Sequence, residues 1–261
     1  MKKTLLITSL LAISAYSFAD IKECLLYAAQ DNNDKKIEYC TPYLKDKDNP
    51  EVTGILAGAY LAKKDYKTAL EYDLWMTSFY EKNGLPTNKN TYEGYVGILG
   101  AIGNIYYFGQ AGKADKTKGL EYITKAANLG NDFAQYQLGT FYVVDESDPS
   151  QNITKAYEWF KISDINKNQE SKSDNYTNQL MQFAKDKPMS YCIAMGEQLV
   201  AQAYINGYAG LSKDTSKAKK YLNDAIALYK DNEPTKENLQ YCPEGADKLN
   251  LDSAKKQLDS L

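Results

Sequence analysis

Two segments of this sequence repeat each other at a spacing of 36 residues. In the first, Gly103 is followed three positions later by Tyr106, and in the second Gly139 is followed by Tyr142. A period of this length is typical of arrays of helical hairpins, in which each unit packs on its immediate neighbours. The sequence therefore predicts an all-α chain of antiparallel helix pairs.

A second signature follows each tyrosine by 12 or 13 residues and marks the second helix of the hairpin. It consists of Lys118-Gly119 in one unit and Lys155-Ala156 in the next. Weaker copies of the whole pattern lie around Ala57 and Ala201, so we expect four hairpins. The small residues predict close approach of the two helices. The tyrosine three positions on lies on the same helix face and fills the adjoining space.

Residues 97–163 resemble Sel1 repeats. The resemblance lies in the Leu-Gly-x-x-Tyr opening, Gly109 and Gly112 in the turn, Asp115 near the start of the second helix and Lys125-Ala126-Ala127 at its end. It implies a superhelical solenoid of antiparallel helix hairpins, Sel1-like or tetratricopeptide-like. In such a superhelix the first helix of each unit lines the inner wall.

The amino-terminal segment has the pattern of a secretory signal peptide at residues 1–19. Lys2 and Lys3 precede an apolar run, and Ser17-Phe18-Ala19 forms a small-residue cleavage pattern. The apolar run is shorter than the roughly 20 residues that span a bilayer. We therefore expect a periplasmic or secreted protein that begins at Asp20.

The remaining chain is predicted to contain capping elements on both sides of the repeats. Residues 20–48 form an N-terminal capping hairpin, and residues 49–232 form the repeat array. A polar insertion occupies residues 164–187, and residues 233–261 form C-terminal capping helices.

The four cysteines of an exported chain predict disulfide bonds. Three pairings are possible, and the expected hairpin geometry favours one of them. Cys24 and Cys40 each lie eight residues from Asn32, at the predicted turn, and so face each other across two helices. Cys192 would then pair with Cys242. The resemblance points the same way, because exported Sel1-like proteins include cysteine-rich members with bridged hairpins.

Composition argues against several functional classes. The chain contains neither histidine nor arginine. The commonest general base and metal ligand are therefore missing, and we predict no enzyme, no metal and no cofactor. The formal charge is −3, with lysines scattered among acids. This pattern disfavours nucleic acid and an anionic membrane as partners.

Tyrosine is abundant, with 23 copies against 7 phenylalanines, and exposed tyrosines suit protein interfaces. If the geometry of the family applies, the inner wall carries polar amides among aromatic side chains. Such a wall is a groove for an extended peptide or a partner helix. The residues predicted to bind a partner there are Asn104, Tyr107, Phe108, Tyr136, Thr140, Val143, Gln198, Gln202 and Ile205.

The predicted function is an exported module that binds a partner protein or peptide, as a scaffold, a host-interaction factor or an immunity protein. Two alternatives remain. Some cysteine-rich relatives are described as penicillin-binding or β-lactamase-like, and Ser216 and Lys219 have the Ser-x-x-Lys spacing of such enzymes without their other motifs. Binding of peptidoglycan is the second alternative, with sugars stacked on Tyr107 and Tyr136.

Overall fold

The structure, a computed structural model, describes residues 21–45, 49–143, 152–167, 175–184 and 188–261. The predicted signal peptide lies outside these residues. The described chain consists of helices and turns without strands, which confirms the all-α fold class. The described residues form two compact units, the first ending at Gly119 and the second starting at Leu120.

The helices follow one another as an N-terminal pair, four hairpins and short terminal elements. Residues 21–28 form α1, and a 3₁₀ helix at Thr41–Lys45 follows α2. The remaining bounds are α2 Asn33–Cys40, α3 Pro50–Ala62, α4 Tyr66–Asn83, α5 Lys89–Phe108, α6 Lys116–Asn128, α7 Asp132–Phe141, α8 Ile153–Asn166, α9 Tyr176–Ala184, α10 Ser190–Asn206, α11 Thr215–Asp231, α12 Lys236–Leu239 and α13 Leu251–Asp259.

All four expected hairpins share one backbone connection. The residue that caps the second helix donates its N–H to the carbonyl of the signature tyrosine on the first helix. Its side-chain oxygen accepts the N–H three residues on, which satisfies a free donor of the first turn. These pairs of capping residue and tyrosine are Asp65 with Tyr60, Asp115 with Tyr106, Asn152 with Tyr142 and Asp214 with Tyr204.

Within a hairpin, the signature lysine of the second helix lies over the ring of the signature tyrosine of the first helix. Lys118 Nζ is 4.2 Å from the ring centre of Tyr106, and the corresponding distance for Lys217 and Tyr204 is 5.2 Å. The ring face attracts the ammonium group, so each of these two hairpins gains a contact worth about 1 kcal/mol at a partly exposed site. The recurring lysine therefore has a packing role.

Small residues stand where the helices touch, as predicted. A Cβ atom added to Gly139 on α7 would lie 2.5 Å from the ring of Phe160 on α8. One added to Gly119 on α6 would lie 2.7 Å from the Cα of Tyr107 on α5. A larger residue at Gly119 would require the neighbouring helix to shift, and one at Gly139 would displace the Phe160 ring.

Each unit contains one disulfide, with the predicted pairing. Cys24–Cys40 joins α1 to α2, and both side chains are buried beside Val52 and Leu56 of α3. Cys192–Cys242 joins the start of α10 to the segment after α12. In the part of the chain that is described, no helix is both long and apolar enough to span a bilayer.

Candidate partner-binding surface

In the first unit, the predicted residues lie together at the end of α5. Phe108 is 58% exposed and is the last residue of the helix. Gly109 follows with φ of 67°, a left-handed conformation that ends the helix. The ring of Tyr107 meets that of Phe108 edge-on, with centres 5.1 Å apart. Asn104, one turn earlier, is half-buried. The three residues form one contiguous patch.

The face of α5 that leads to Phe108 is lined by glycine. Gly94, Gly97 and Gly100 are exposed or half-buried, and a Cβ atom added to any of them would meet nothing within 4 Å. The spacing of the glycines, Asn104 and Phe108 places them on one side of the helix. We call this strip, from Gly94 to Phe108, the α5 face. It is a smooth surface with a large apolar side chain at its end.

In the second unit, Tyr136 of α7 is partly covered by the insertion. Its ring centre lies 4.1 Å from that of Tyr176 on α9 and 6.1 Å from that of Phe160 on α8. Asp164 accepts hydrogen bonds from the backbone N–H groups of Tyr176 and Thr177, and so holds the start of α9 on α8. Tyr136 therefore offers a partner less of its surface than the sequence predicts.

Gln198 on α10 is completely buried, which contradicts its predicted place on an open wall. Its amide nitrogen donates to Ser253 Oγ of α13 at 2.9 Å, and its amide oxygen accepts from the Tyr229 hydroxyl of α11 at 2.9 Å. These bonds satisfy the amide inside the protein. Gln198 therefore stabilises the packing of the C-terminal helices and is not part of a binding surface.

The other predicted residues of the second unit remain half-buried. Gln202 and Ile205 lie on one side of α10, and Ile205 packs partly against the core. Val143 also packs against that core, and the hydroxyl of Thr140 donates to the carbonyl of Tyr136. Only part of the surface of each of these side chains is accessible to a partner.

Phe133 of α7 was not predicted, although it is 58% exposed. It lies one turn before Tyr136, with ring centres 6.2 Å apart. Phe133 lies two turns before Gly139 on the predicted wall, so the same helical spacing, extended by one turn, indicates it. Ser216 and Lys219, the residues of the Ser-x-x-Lys pattern, are both exposed near the start of α11.

Two glutamates of the second unit are buried beside tyrosine hydroxyls. The Tyr208 hydroxyl donates to Glu158 at 2.9 Å, and the Tyr157 hydroxyl donates to Glu197. Desolvation raises the pKa of Glu158 to about 7, against the opposing effects of Tyr208 and Lys155, and it also raises the pKa of Glu197. Among the described residues, no cluster of acids and cysteines could hold a metal ion.

Asp73 is a buried acid of the first unit. It is 3% exposed and lies on the core-facing stripe of α4, between Ala69 and Met76. Desolvation raises its pKa from 3.8 to about 7. The folded protein thus keeps a proton that the unfolded chain releases near pH 4, and the stability contributed by this group falls as the pH rises from about 4 to 7.

We therefore expect the Asp73→Asn variant to lose part of this pH dependence. Between pH 5 and pH 8, Asp73 lowers the free energy of unfolding of the parent protein by about 2 kcal/mol, because charging a buried carboxyl is costly. Urea denaturation at the two pH values measures this change. The interpretation is wrong if the variant and the parent protein lose equal stability between pH 5 and pH 8.

Comparison with known proteins bears on the repeats. The model of the Sel1 repeat family matches residues 99–131, 132–163 and 192–228. No curated protein matches the sequence. A solved structure, the Sel1 repeat protein from Oxalobacter formigenes, is similar over 75% of this chain, with 20% identity and a TM-score of 0.40. This chain spans 46% of that protein's length.

The three matched segments correspond to the hairpins α5/α6, α7/α8 and α10/α11. The hairpin α3/α4 lies outside the matched segments, yet it has the same bond from the capping residue to the signature tyrosine. Sel1 repeats are protein–protein interaction modules and generally form non-catalytic scaffolds. The chain therefore contains three Sel1 repeats, and a fourth hairpin has the same capping bond.

Proposed function

We propose that this protein is an exported module that binds a partner protein through the α5 face. The observation that carries the proposal is the exposure of Phe108, 58% of whose surface is open at the end of a helix face lined by glycine. Aromatic side chains of this kind are typical anchors of protein interfaces. Phe133, equally exposed on α7 in the second unit, supports the same function.

The chemistry of the α5 face favours a helix or an extended peptide as the partner. Burial of a phenylalanine side chain contributes about 1.5–3 kcal/mol to binding. Gly94, Gly97 and Gly100 have no side chain to hold a partner backbone away, so a segment that follows them can approach closely.

Substitutions on the α5 face should reduce binding without unfolding the protein. We expect Phe108→Ala to lower recovery of the partner about tenfold, because it removes the anchor. Gly97→Leu should have a similar effect, because it adds bulk to an exposed helix position where the fold leaves room. The measurement is co-purification of partners with tagged protein from the producing cells at physiological salt.

The matched control is Ala227→Leu, which places the same leucine side chain at an exposed position on α11. It should retain the partner recovered with the parent protein. Equal recovery with all variants would place the interface elsewhere, and the absence of any partner with the parent protein would contradict the function itself. The identity of the partner then separates a scaffold from a host-interaction factor or an immunity protein.

Export to the periplasm or the outside of the cell is the second part of the proposal. The signal-peptide pattern supports it, and so do the two disulfides, which persist in oxidising compartments. We expect the mature protein to begin at Asp20 and to appear in the osmotic-shock fraction or the medium. Intact mass and N-terminal sequencing measure this, and a cytoplasmic protein that retains residues 1–19 would contradict it.

A further inference from the structure

A groove in the first unit lies among residues that have no part in the α5 face. It has a volume of about 320 Å³ and runs between the 3₁₀ helix, α3 and α4. The lining residues are Leu44, Thr53, Glu71, Tyr72 and Trp75. Ligand pockets range from about 300 to 1,000 Å³, so this groove has room for one long side chain or a comparably small group.

The walls of the groove are aromatic and apolar. Trp75 and Tyr72 are half-buried neighbours on one side of α4. The Trp75 ring stacks on Phe79 with centres 5.4 Å apart, and the Tyr72 ring contacts Tyr60 at 5.8 Å. These contacts fix the orientation of both rings, so the side chains facing the groove are preorganised.

Glu71 is the one charged residue among those that line the groove. It is exposed, and within the described residues it forms no ion pair or hydrogen bond, not even with Lys67, one turn earlier. Desolvation, with smaller contributions from Tyr60, Glu71 and Asp65, raises the pKa of Tyr72. The groove therefore combines a free carboxylate with a neutral phenol and an indole.

We propose that this groove binds an arginine side chain of a partner protein. A guanidinium group is planar, stacks on aromatic faces and bonds to a carboxylate through two parallel N–H groups. Tryptophan offers the strongest ring face for a cation. The apolar stem of arginine would lie along Leu44, with its head between Trp75 and Glu71. The charge of the site and its size both match this side chain.

The test follows the indole N–H signals in NMR spectra of the oxidised full-length mature protein. The chain has two tryptophans, and Trp159 is 7% exposed in the other unit, so it serves as an internal control. Trp75→Phe assigns the signals. The probes are N-acetyl-arginine amide and its neutral analogue N-acetyl-citrulline amide, titrated to about 50 mM.

We expect the arginine probe to shift the Trp75 signal with saturation in the millimolar range, while the Trp159 signal stays in place. The citrulline probe should bind at least fivefold more weakly, and Glu71→Gln should weaken arginine binding by about the same factor. Equal binding of both probes would overturn the proposal. So would the absence of a Trp75 shift, or a shift with N-acetylglucosamine and not with arginine, which would indicate a sugar site. None of these outcomes depends on Phe108.

Discussion

The protein without its Cys192–Cys242 disulfide is expected to lose about 4 kcal/mol in its free energy of unfolding. The bond closes a loop with a sequence separation of 50 residues, and the chain entropy that such a loop removes from the unfolded state is worth about 4 kcal/mol. Both side chains are fully buried in the core of the second unit. The Cys192→Ala/Cys242→Ala variant tests this, because alanine leaves no unpaired hydroxyl.

The matched control is the Cys24→Ala/Cys40→Ala variant. That bond has a separation of 16 residues, so its loss should cost about 3 kcal/mol. Chemical denaturation followed by circular dichroism, with the free energies extrapolated to water, measures both variants. A loss below about 1 kcal/mol for the longer loop would contradict the role of this bond as a staple of the second unit.

Gly119→Ala is expected to destabilise the protein by about 3 kcal/mol, although alanine is the better helix former. A Cβ atom at this position would lie 2.7 Å from the backbone nitrogen, Cα and Cβ of Tyr107. A backbone cannot rotate away, so α5 and α6 must separate, at a cost at the upper end of the range for overpacking. Alanine favours the helix by about 1 kcal/mol and does not offset this cost.

Gly97→Ala provides the opposite case. Position 97 lies inside α5, and an added Cβ atom meets nothing within 4 Å. The substitution should therefore stabilise the protein by about 1 kcal/mol. Thermal or urea denaturation compares the two variants. If Gly119→Ala proved as stable as the parent protein, the close approach of α5 and α6 would be wrong.

The repeat architecture could be predicted because its determinants are local. The spacing of Gly139, Tyr142 and Ala156 predicts one hairpin. The residues that determine each hairpin lie within its own two helices, turn and cap. The pairing of Cys24 with Cys40 followed from their equal distances to the turn at Asn32, which caps α2 in the structure. These inferences required no knowledge of contacts between distant segments.

The candidate surface was harder to predict because segments outside the repeat cover part of it. Gln198 is buried and donates to Ser253 of α13, and Tyr136 is partly covered by Tyr176 of the insertion. Neither contact follows from the repeat period. The burial of Asp73 was also not predicted. A charged residue on a helix is expected to be exposed, and only the contacts of α4 show that Asp73 faces the core.

The two surfaces of the first unit differ in chemistry. The α5 face is smooth and apolar at its end, whereas the groove at Trp75 carries a carboxylate among aromatic rings. A partner with an apolar segment and a separate arginine would satisfy both. Because the two surfaces share no residue, substitutions at Phe108 and Glu71 measure their contributions independently.

Site-specific photo-crosslinking tests whether a partner binds through the α5 face. The protein is produced in its own cells with p-benzoylphenylalanine at position 108, or at position 227 on α11 as the control. We expect one discrete crosslinked partner from position 108, which is lost when Gly97→Leu is added, and none from position 227. A crosslink pattern that is the same from both positions, or that persists with Gly97→Leu, would contradict binding through the α5 face.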